Sequence, residues 1–355
     1  MLGVALLGCG RIAKRHAELL SSGEIKGAKL VAVCDVQEER AKEFGAKYKI
    51  PYFMDLKAMM QECGEQIHIV SILTPSGMHA QNTLEVAPYQ KHIIVEKPMA
   101  LTLEDADKMI QVCRENSIRL FVVKQNRYNL PVQKLREALE VGRFGKLVMG
   151  SVRVRWCRDD SYYKHDSWRG TWEYDGGVFT NQASHHIDLL EWMLGDVESV
   201  FAKSTTALSA IETEDTGIAV LKFKNGALGV VEATTATRPK DLEGSISILG
   251  EFGSVEIGGF AVNQMRHWNF AKSLASDGEV MEKYSVNPPN VYGFGHKEYY
   301  LSVVDCLKNN KKALVDGEEG RKSLELIIAI YQSIESGKEV FLPVASKQCK
   351  LGKKA

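Results

Sequence analysis

The stretch Leu2-Gly3-Val4-Ala5-Leu6-Leu7-Gly8-Cys9-Gly10-Arg11-Ile12-Ala13 restricts the fold of this chain more than any other. An apolar run leads into a glycine-rich turn, and Arg11 to Leu20 then reads as a helix. A second apolar run, Lys29 to Cys34, ends on Asp35. Strand, glycine turn, helix and a strand ending in an acid make up the Gly-x-Gly-x-x-Ala fingerprint of a dinucleotide site. Gly8 permits the tight turn, Gly10 lets a pyrophosphate approach the backbone, and Ala13 keeps helix and strand close. Gly8, Cys9, Gly10, Arg11 and Ile12 are therefore expected to cradle phosphates at a helix N-terminus, where free N–H groups and the macrodipole favour negative charge. Asp35, about 20 residues on, is placed to accept from ribose hydroxyls. Its charge repels a 2′-phosphate, which favours NAD over NADP, with Arg40 as the one nearby cation that argues the other way.

The alternation continues beyond Asp35. Glu38–Tyr48 and Leu56–Cys63 read as helices, Ile67–Leu73 as a strand, Gly77–Ala87 as a helix and Lys91–Val95 as a strand. Leu103–Asn116 is a helix with Thr102 as N-cap, and Arg119–Val123 a short strand. Strands alternating with helices imply a parallel, doubly wound sheet over residues 1–123. After that the pattern changes. Pro131–Gly142 is helical, and strands follow one another at 147–156, 199–207, 216–223, 228–235, 245–249 and 254–257, with an Asn225-Gly226 hairpin signal. Helices at 184–194, 296–308 and 318–336 bracket them. Residues 124–346 are thus expected to form an α+β domain with a mainly antiparallel, open-faced sheet, and 347–355 a loose basic tail. An apolar open face needs a partner in water, so a homo-oligomer, dimer or tetramer, is expected.

Bulk properties narrow the function. The 355 residues are 45% hydrophobic and 25% charged, with 45 basic and 45 acidic side chains, a balance that points away from nucleic acid and anionic membranes. Seven cysteines without a Cys-x-x-Cys pair read as reduced thiols rather than disulfides or zinc ligands. Leu6-Leu7-Gly8-Cys9 imitates a lipoprotein cleavage box, but no basic residue precedes it and the apolar run is short. No segment is long enough to cross a bilayer, and a cytoplasmic protein is expected.

Loops at the carboxyl ends of parallel strands bind ligands. That places Thr74, Pro75 and His79 after one strand and Glu96-Lys97-Pro98 after the next at the cofactor. A lysine beside a pyridinium is pushed towards its neutral form and can exchange a proton with a hydroxyl. In the second domain Gly176-Gly177 precedes Asn181 and His185-His186-Ile187-Asp188. His185 and Asp188 share a helix face, so the carboxylate is expected to hold the imidazole in one tautomer. Adjacent histidines point about 100° apart on a helix and do not chelate together, so no metal is expected.

Gly8-x-Gly10-x-x-Ala13, Glu96-Lys97-Pro98, Trp168-Arg169, Gly176-Gly177 and His185-x-x-Asp188, in that order, resemble the Gfo/Idh/MocA oxidoreductases over nearly the whole chain. The resemblance implies NAD(P)-linked oxidation of a sugar or cyclitol hydroxyl, with Lys97 and His185 framing the carbinol and Trp168 and Arg169 beside the nicotinamide. The family usually has aspartate where Asn181 stands, and an amide can orient a hydroxyl but not take its proton. The stretches 123–129, including Gln125 at the cofactor, and 180–186 resemble the WlbA-type branch of bacterial O-antigen synthesis. That branch oxidises the sugar 3-hydroxyl of UDP-N-acetylglucosaminuronic acid, and some relatives reoxidise NADH with a 2-oxoacid such as 2-oxoglutarate. Arg153, Arg155, Arg158, Tyr162, Tyr163 and Lys164 are then candidates for the carboxylate, diphosphate and uracil, with His296 at a late helix N-terminus. The alternatives are an inositol or free-sugar dehydrogenase, a non-catalytic NAD sensor, and an NAD-dependent glycosidase.

Overall fold

The computed structural model describes residues 1–286, 293–344 and 349–354. The chain divides into two compact units, Met1–Val123 with His296–Arg321, and Lys124–Gly295 with Lys322–Ala355.

The first unit contains a six-stranded sheet of β1 (Leu2–Leu7), β2 (Ala28–Cys34), β3 (Tyr52–Phe53), β4 (Ile69–Ile72), β5 (His92–Val95) and β6 (Leu120–Val122). Its order is β3-β2-β1-β4-β5-β6, with every neighbouring pair parallel. β1 and β4 are almost wholly buried, as strands covered on both faces must be, which is why they read as unbroken apolar runs. Side-chain caps begin two of the helices: Asp55 accepts from the Ala58 N–H at 2.9 Å and Thr102 from the Asp105 N–H at 3.1 Å. The two-residue β3 is too short to show an alternation in sequence.

The outer flank of this unit comes from far along the chain. The Val122 N–H donates to the Val315 carbonyl at 3.3 Å, and Phe121 bridges to Asp316. Arg119 donates to the carbonyls of Cys306 (2.9 Å) and Lys311 (2.7 Å). The segment 296–321 therefore belongs with the first unit, although its sequence reads as a continuation of the second.

The second unit contains β7 (Leu147–Arg155), β8 (Val197–Thr205), β9 (Thr216–Phe223), β10 (Leu228–Thr234), β11 (Glu243–Gly250), β12 (Gly253–Gly258), β13 (Gln264–Phe270) and β14 (Val340–Phe341). The order is β13-β12-β11-β7-β10-β9-β8-β14. Every neighbouring pair is antiparallel except β7 with β10, so the sheet is mixed though mainly antiparallel. The helix Ser184–Leu194 packs on β7 and β11. It comes so close that a Cβ at Gly150 would lie 2.8 Å from the Leu194 side chain and 2.9 Å from that of Leu190.

The other face carries Met149, Phe201, Ile218, Val220, Leu228 and Leu249, all exposed. Pairing places Phe201 opposite Val220 and Met149 opposite both Leu228 and Leu249, so they share that face. The expected loose tail is tied down where it is described: Cys349 and Leu351 are buried and the Gly352 N–H donates to the Trp172 carbonyl at 2.8 Å. Residues 347, 348 and 355 lie outside the described residues. Among the described residues no helix is long and apolar enough to cross a membrane.

Candidate active site

In the first unit the strand order reverses between β1 and β4, and the loops leaving their carboxyl ends are the Gly8–Gly10 turn and Thr74–Ser76. Gly8 has φ +103°, and a Cβ there would lie 2.8 Å from the Leu73 carbonyl carbon. Glycine is imposed at that position by the backbone itself. The Cys9 N–H donates to Asp35 Oδ2 at 2.7 Å and the Gln37 N–H to Oδ1 at 2.8 Å, so two amides aim the carboxylate. Arg11 is exposed and Ile12 half-buried at the start of the helix Arg11–Ser21.

Gly10 is glycine for a different reason. Its φ is −77°, and a Cβ there would meet no atom within 4 Å. Nothing in the protein's own packing demands the missing side chain, whereas a pyrophosphate laid against the helix N-terminus does. Gly10→Val is accordingly expected to leave the melting temperature within about 2 °C and to weaken NAD binding at least tenfold by calorimetry. Unchanged affinity would remove Gly10 from the cradle.

His79 is 1% exposed, with Nδ1 2.8 Å from the Pro98 carbonyl and Nε2 3.0 Å from that of Thr74. Burial pushes its pKa down while the two carbonyl acceptors pull it up, and the ring spans the loops after β4 and β5. Thr74 Oγ1 donates to Asn82 Oδ1 at 2.7 Å, and Pro75 is half-buried beside it. Lys97 is half-buried directly after β5. Glu96, expected at the cofactor, turns its carboxylate inward instead. Oε1 lies 3.0 Å from His16 Nε2, and Oε2 accepts the Lys97 N–H at 3.0 Å. His296, expected at the substrate, is fully buried in the same unit, 3.8 Å from Glu96 Oε1.

In the second unit Gly176 (φ +81°) and Gly177 lead into Asn181 and the helix Ser184–Leu194. A Cβ at Gly177 would sit 2.2 Å from the Glu214 carboxyl carbon. Glu214 Oε1 accepts from the Phe179 N–H (3.1 Å) and the Tyr331 hydroxyl (2.9 Å), and burial raises its pKa to about 7. Asn181 is half-buried and donates through Nδ2 to Asp175 Oδ1, while the Gly170 N–H donates to the other oxygen at 2.8 Å. Neither Asp175 nor Glu214 stands out in the sequence, because the residues they organise lie outside any short motif.

The His185–Asp188 pairing requires correction. Asp188 is taken by Arg127 through Nε and Nη2, both at 2.9 Å, with Lys124 Nζ at 3.8 Å. Burial alone would raise the Asp188 pKa, but Arg127 and Lys124 outweigh it and hold the carboxyl below its usual range. His185 meets Gln125, whose Nε2 donates to His185 Nε2 at 3.0 Å. Gln125, expected at the cofactor, is thus a direct partner of the imidazole.

His186 points the other way into the core, with its ring edge-on to Trp156 at 5.8 Å. Burial lowers its pKa from 6.5 to about 4. The unfolded ring takes up a proton near pH 6.5 and the native ring only near 4, so stability falls as the pH drops through this window. At about 1.4 kcal/mol per unit the loss is roughly 3 kcal/mol. His186→Phe is expected to flatten the fall in melting temperature between pH 6.5 and 4.5; an unchanged slope would assign it to other groups.

Arg153 and Arg155 do not form the expected anion site. Register sets Glu232 opposite Arg153 and Glu243 opposite Arg155. Arg155 pairs with Glu232 (2.6 Å) and Glu243 (3.0 Å), and Arg153 with Glu243 (3.7 Å) and Glu256 (3.6 Å). Period-two geometry puts cations and anions on one face, and nothing in a single strand reveals its neighbours. Arg158 is bound to Asp241 at 3.0 Å and stacks over Trp156 (5.2 Å) and Tyr162 (5.4 Å). Arg169 lies over Tyr162 and Trp168, each at 4.6 Å, and pairs with Asp166 at 3.2 Å. The result is a ladder, Trp156–Arg158–Tyr162–Arg169–Trp168, that braces this loop. Tyr163 donates to or accepts from Thr235 at 3.1 Å, and Lys164 is exposed beside Asp160.

Comparison with known proteins agrees with this architecture. Residues 2–124 match the oxidoreductase family's NAD-binding Rossmann fold, and residues 136–342 its C-terminal alpha/beta domain. The chain is similar to the WlbA dehydrogenase of Bordetella pertussis, solved with NADH and UDP-GlcNAcA, at 41% identity and a TM-score of 0.88, covering 97% of this chain and 99% of that one. It is similar to the WlbA dehydrogenase of Chromobacterium violaceum, solved with the same ligands, at 42% identity and a TM-score of 0.90, covering 97% of each. The myo-inositol 2-dehydrogenase of Thermotoga maritima is 27% identical over 96% of this chain and 98% of its own. With its Gly8–Gly10 cradle, its Glu96-Lys97-Pro98 loop and both family domains in place, the chain belongs to the Gfo/Idh/MocA oxidoreductases and is an NAD-dependent member of that family.

Proposed function

We propose that this protein oxidises the 3-hydroxyl of UDP-N-acetylglucosaminuronic acid to the 3-keto sugar, in the cytoplasmic assembly of a bacterial O-antigen precursor. The observation that carries the reading is the likeness to two WlbA dehydrogenases at 41% and 42% identity over 97% of the chain. The inositol dehydrogenase stands at 27%. Bound NAD supplies the acceptor for the hydrogen that leaves C3. Lys97 and His185 manage the hydroxyl proton, and Asn181 orients the hydroxyl without taking the proton. Asp175, fixed by the Gly170 N–H, holds the Asn181 amide in one rotamer. Gln125 donates to His185 Nε2 and so fixes the orientation of the imidazole.

The test is incubation of the purified protein with UDP-N-acetylglucosaminuronic acid and NAD, with and without 2-oxoglutarate, and mass spectrometry of the sugar. A product two hydrogens lighter is expected, and dependence on the oxoacid would mean that NADH is recycled in place. Absence of product from an NAD-bound protein would overturn the reading in favour of a free-sugar or inositol dehydrogenase, the activity named for the Thermotoga relative.

The working form is a dimer or tetramer assembled through the open face of the second sheet. Six exposed apolar side chains there, from Met149 to Leu249, form a surface that water penalises. Ile218→Asp with Val220→Asp is expected to give a monomer by light scattering; an unchanged mass would place the interface elsewhere.

A further inference from the structure

Beneath Lys97 lies a buried polar group that the proposed chemistry does not use directly. Glu96 is 7% exposed, and His16, His296 and Tyr300 are fully buried. His16 is the hub. Its Nε2 lies 3.0 Å from Glu96 Oε1 and its Nδ1 2.6 Å from the Tyr300 hydroxyl. The His296 ring meets it edge-on at 5.4 Å and brings Nε2 to 3.8 Å from the same carboxylate oxygen. All four residues belong to the first unit.

An ionised carboxylate in such a place is costly unless every lone pair is directed at a donor. Burial opposes the charge on Glu96, yet the hydrogen bond from His16 and the nearby His296 ring keep its pKa well below the ordinary value. The carboxylate therefore accepts, His16 donates from Nε2, and Tyr300 donates to His16 Nδ1. The remaining oxygen, Oε2, accepts the backbone N–H of Lys97. Each link fixes the next, and the last is the amide of the residue assigned to proton transfer.

We infer that His16, Glu96 and His296 are positioning residues for Lys97: the buried carboxylate they share pins the Lys97 backbone and so sets where its ammonium group can reach. The inference rests on Lys97 acting in the proposed dehydrogenase. The lysine follows a strand end whose side chain has four torsions, and anchoring its backbone removes much of the freedom that spoils a catalytic geometry. The same three side chains offer ligand atoms within 4.8 Å of one another, the arrangement of a His₂Glu metal site. The bonds already made by both His16 nitrogens favour hydrogen bonding over coordination.

The experiment compares His16→Phe, His16→Gln, His296→Gln and wild type, all as full-length protein. Three quantities are read: amide hydrogen exchange at Lys97, the NAD dissociation constant by calorimetry, and kcat and KM for the sugar nucleotide. His16→Phe is expected to speed Lys97 exchange at least tenfold and to lower kcat at least tenfold, with KM and the NAD constant within about threefold. His16→Gln, whose amide still reaches Glu96, is expected to recover most of both losses. His296→Gln serves as the second disruption should His16→Phe fail to fold, with a smaller effect of the same kind. Lys97 exchange unchanged in both disruptive variants would overturn the inference, as would a fall in NAD affinity that accounts for the whole loss of rate. Metal analysis of the wild type showing one tightly held zinc per chain, with Lys97 exchange accelerated by a chelator, would also overturn it in favour of a metal centre. Exchange and NAD binding need no sugar, so a wild type inactive on the nucleotide sugar defeats the functional reading while these two measurements still decide the positioning role.

Discussion

Replacing Lys97 by Ala is expected to reduce turnover by 10²–10⁴-fold, the range typical of a lost general acid–base group. NAD affinity is expected to stay within about threefold. The separation is physical. The proposed dinucleotide cradle is the Gly8–Gly10 turn with Asp35, whose carboxylate is aimed by the amides of Cys9 and Gln37. None of these depends on the Lys97 side chain. The fold is equally insensitive, because the Lys97 backbone is held through its N–H by Glu96 and the side chain is only half-buried. Lys97→Arg keeps the charge but is too basic to exchange a proton near neutral pH, and is expected to be nearly as inactive as Ala. Lys97→Ala with unchanged kcat would move the proton chemistry elsewhere, with His185 as the first residue to examine.

The second large effect concerns stability. Asp188 is 1% exposed and Arg127 4% exposed, and the guanidinium meets both carboxylate oxygens at 2.9 Å. Arg127 also lies over Trp192 at 4.9 Å, so its planar head is held by a ring as well as by an anion. Arg127→Met removes one partner and strands the other in the core, a change that costs about 3–5 kcal/mol in comparable buried pairs. Lys124 at 3.8 Å is too distant to replace two short hydrogen bonds. The melting temperature of the second unit is expected to fall by several degrees, and adding Asp188→Asn is expected to return part of the loss by removing the stranded charge. A variant that melts with the wild type would show that the pair contributes to register or specificity and not to stability.

Much of this was readable before any coordinates. Five of the six strands of the first unit, all but the two-residue β3, are apolar runs, largely buried, and such strands announce themselves by composition. The Gly8–Gly10 turn did so as well, because Gly8, required by its own φ, and Gly10 stand close together at a strand end and leave a short, contiguous trace. What escaped was whatever depends on a partner distant in sequence. Asp188 sits one helical turn from His185, and local spacing made them a pair; the stronger cation, Arg127, approaches from 61 residues away. Arg153 and Arg155 looked like an anion site because the strands that neutralise them, β10, β11 and β12, contribute their glutamates only through sheet pairing. Glu96 was placed correctly in the loop after β5 but with the wrong orientation, since nothing in Glu96-Lys97-Pro98 says that the first side chain turns inward to His16.

One consequence lies in the time order of synthesis. The segment 296–321 completes the unit that begins at Met1: it supplies the backbone partner of Val122 and the carbonyls that receive Arg119, and it brings His296 and Tyr300 to His16 and Glu96. The residues proposed to cradle the nucleotide leave the ribosome first, yet the unit holding them lacks its flank until nearly the whole chain has emerged. A gene fragment ending at Val123 therefore encodes an incomplete body with an open β6 edge, in which Glu96 keeps His16 and the Lys97 N–H but lacks His296 and Tyr300 around them. Expressed alone, it is expected to aggregate or to recruit chaperones, and to become soluble when the 296–321 peptide is supplied alongside it.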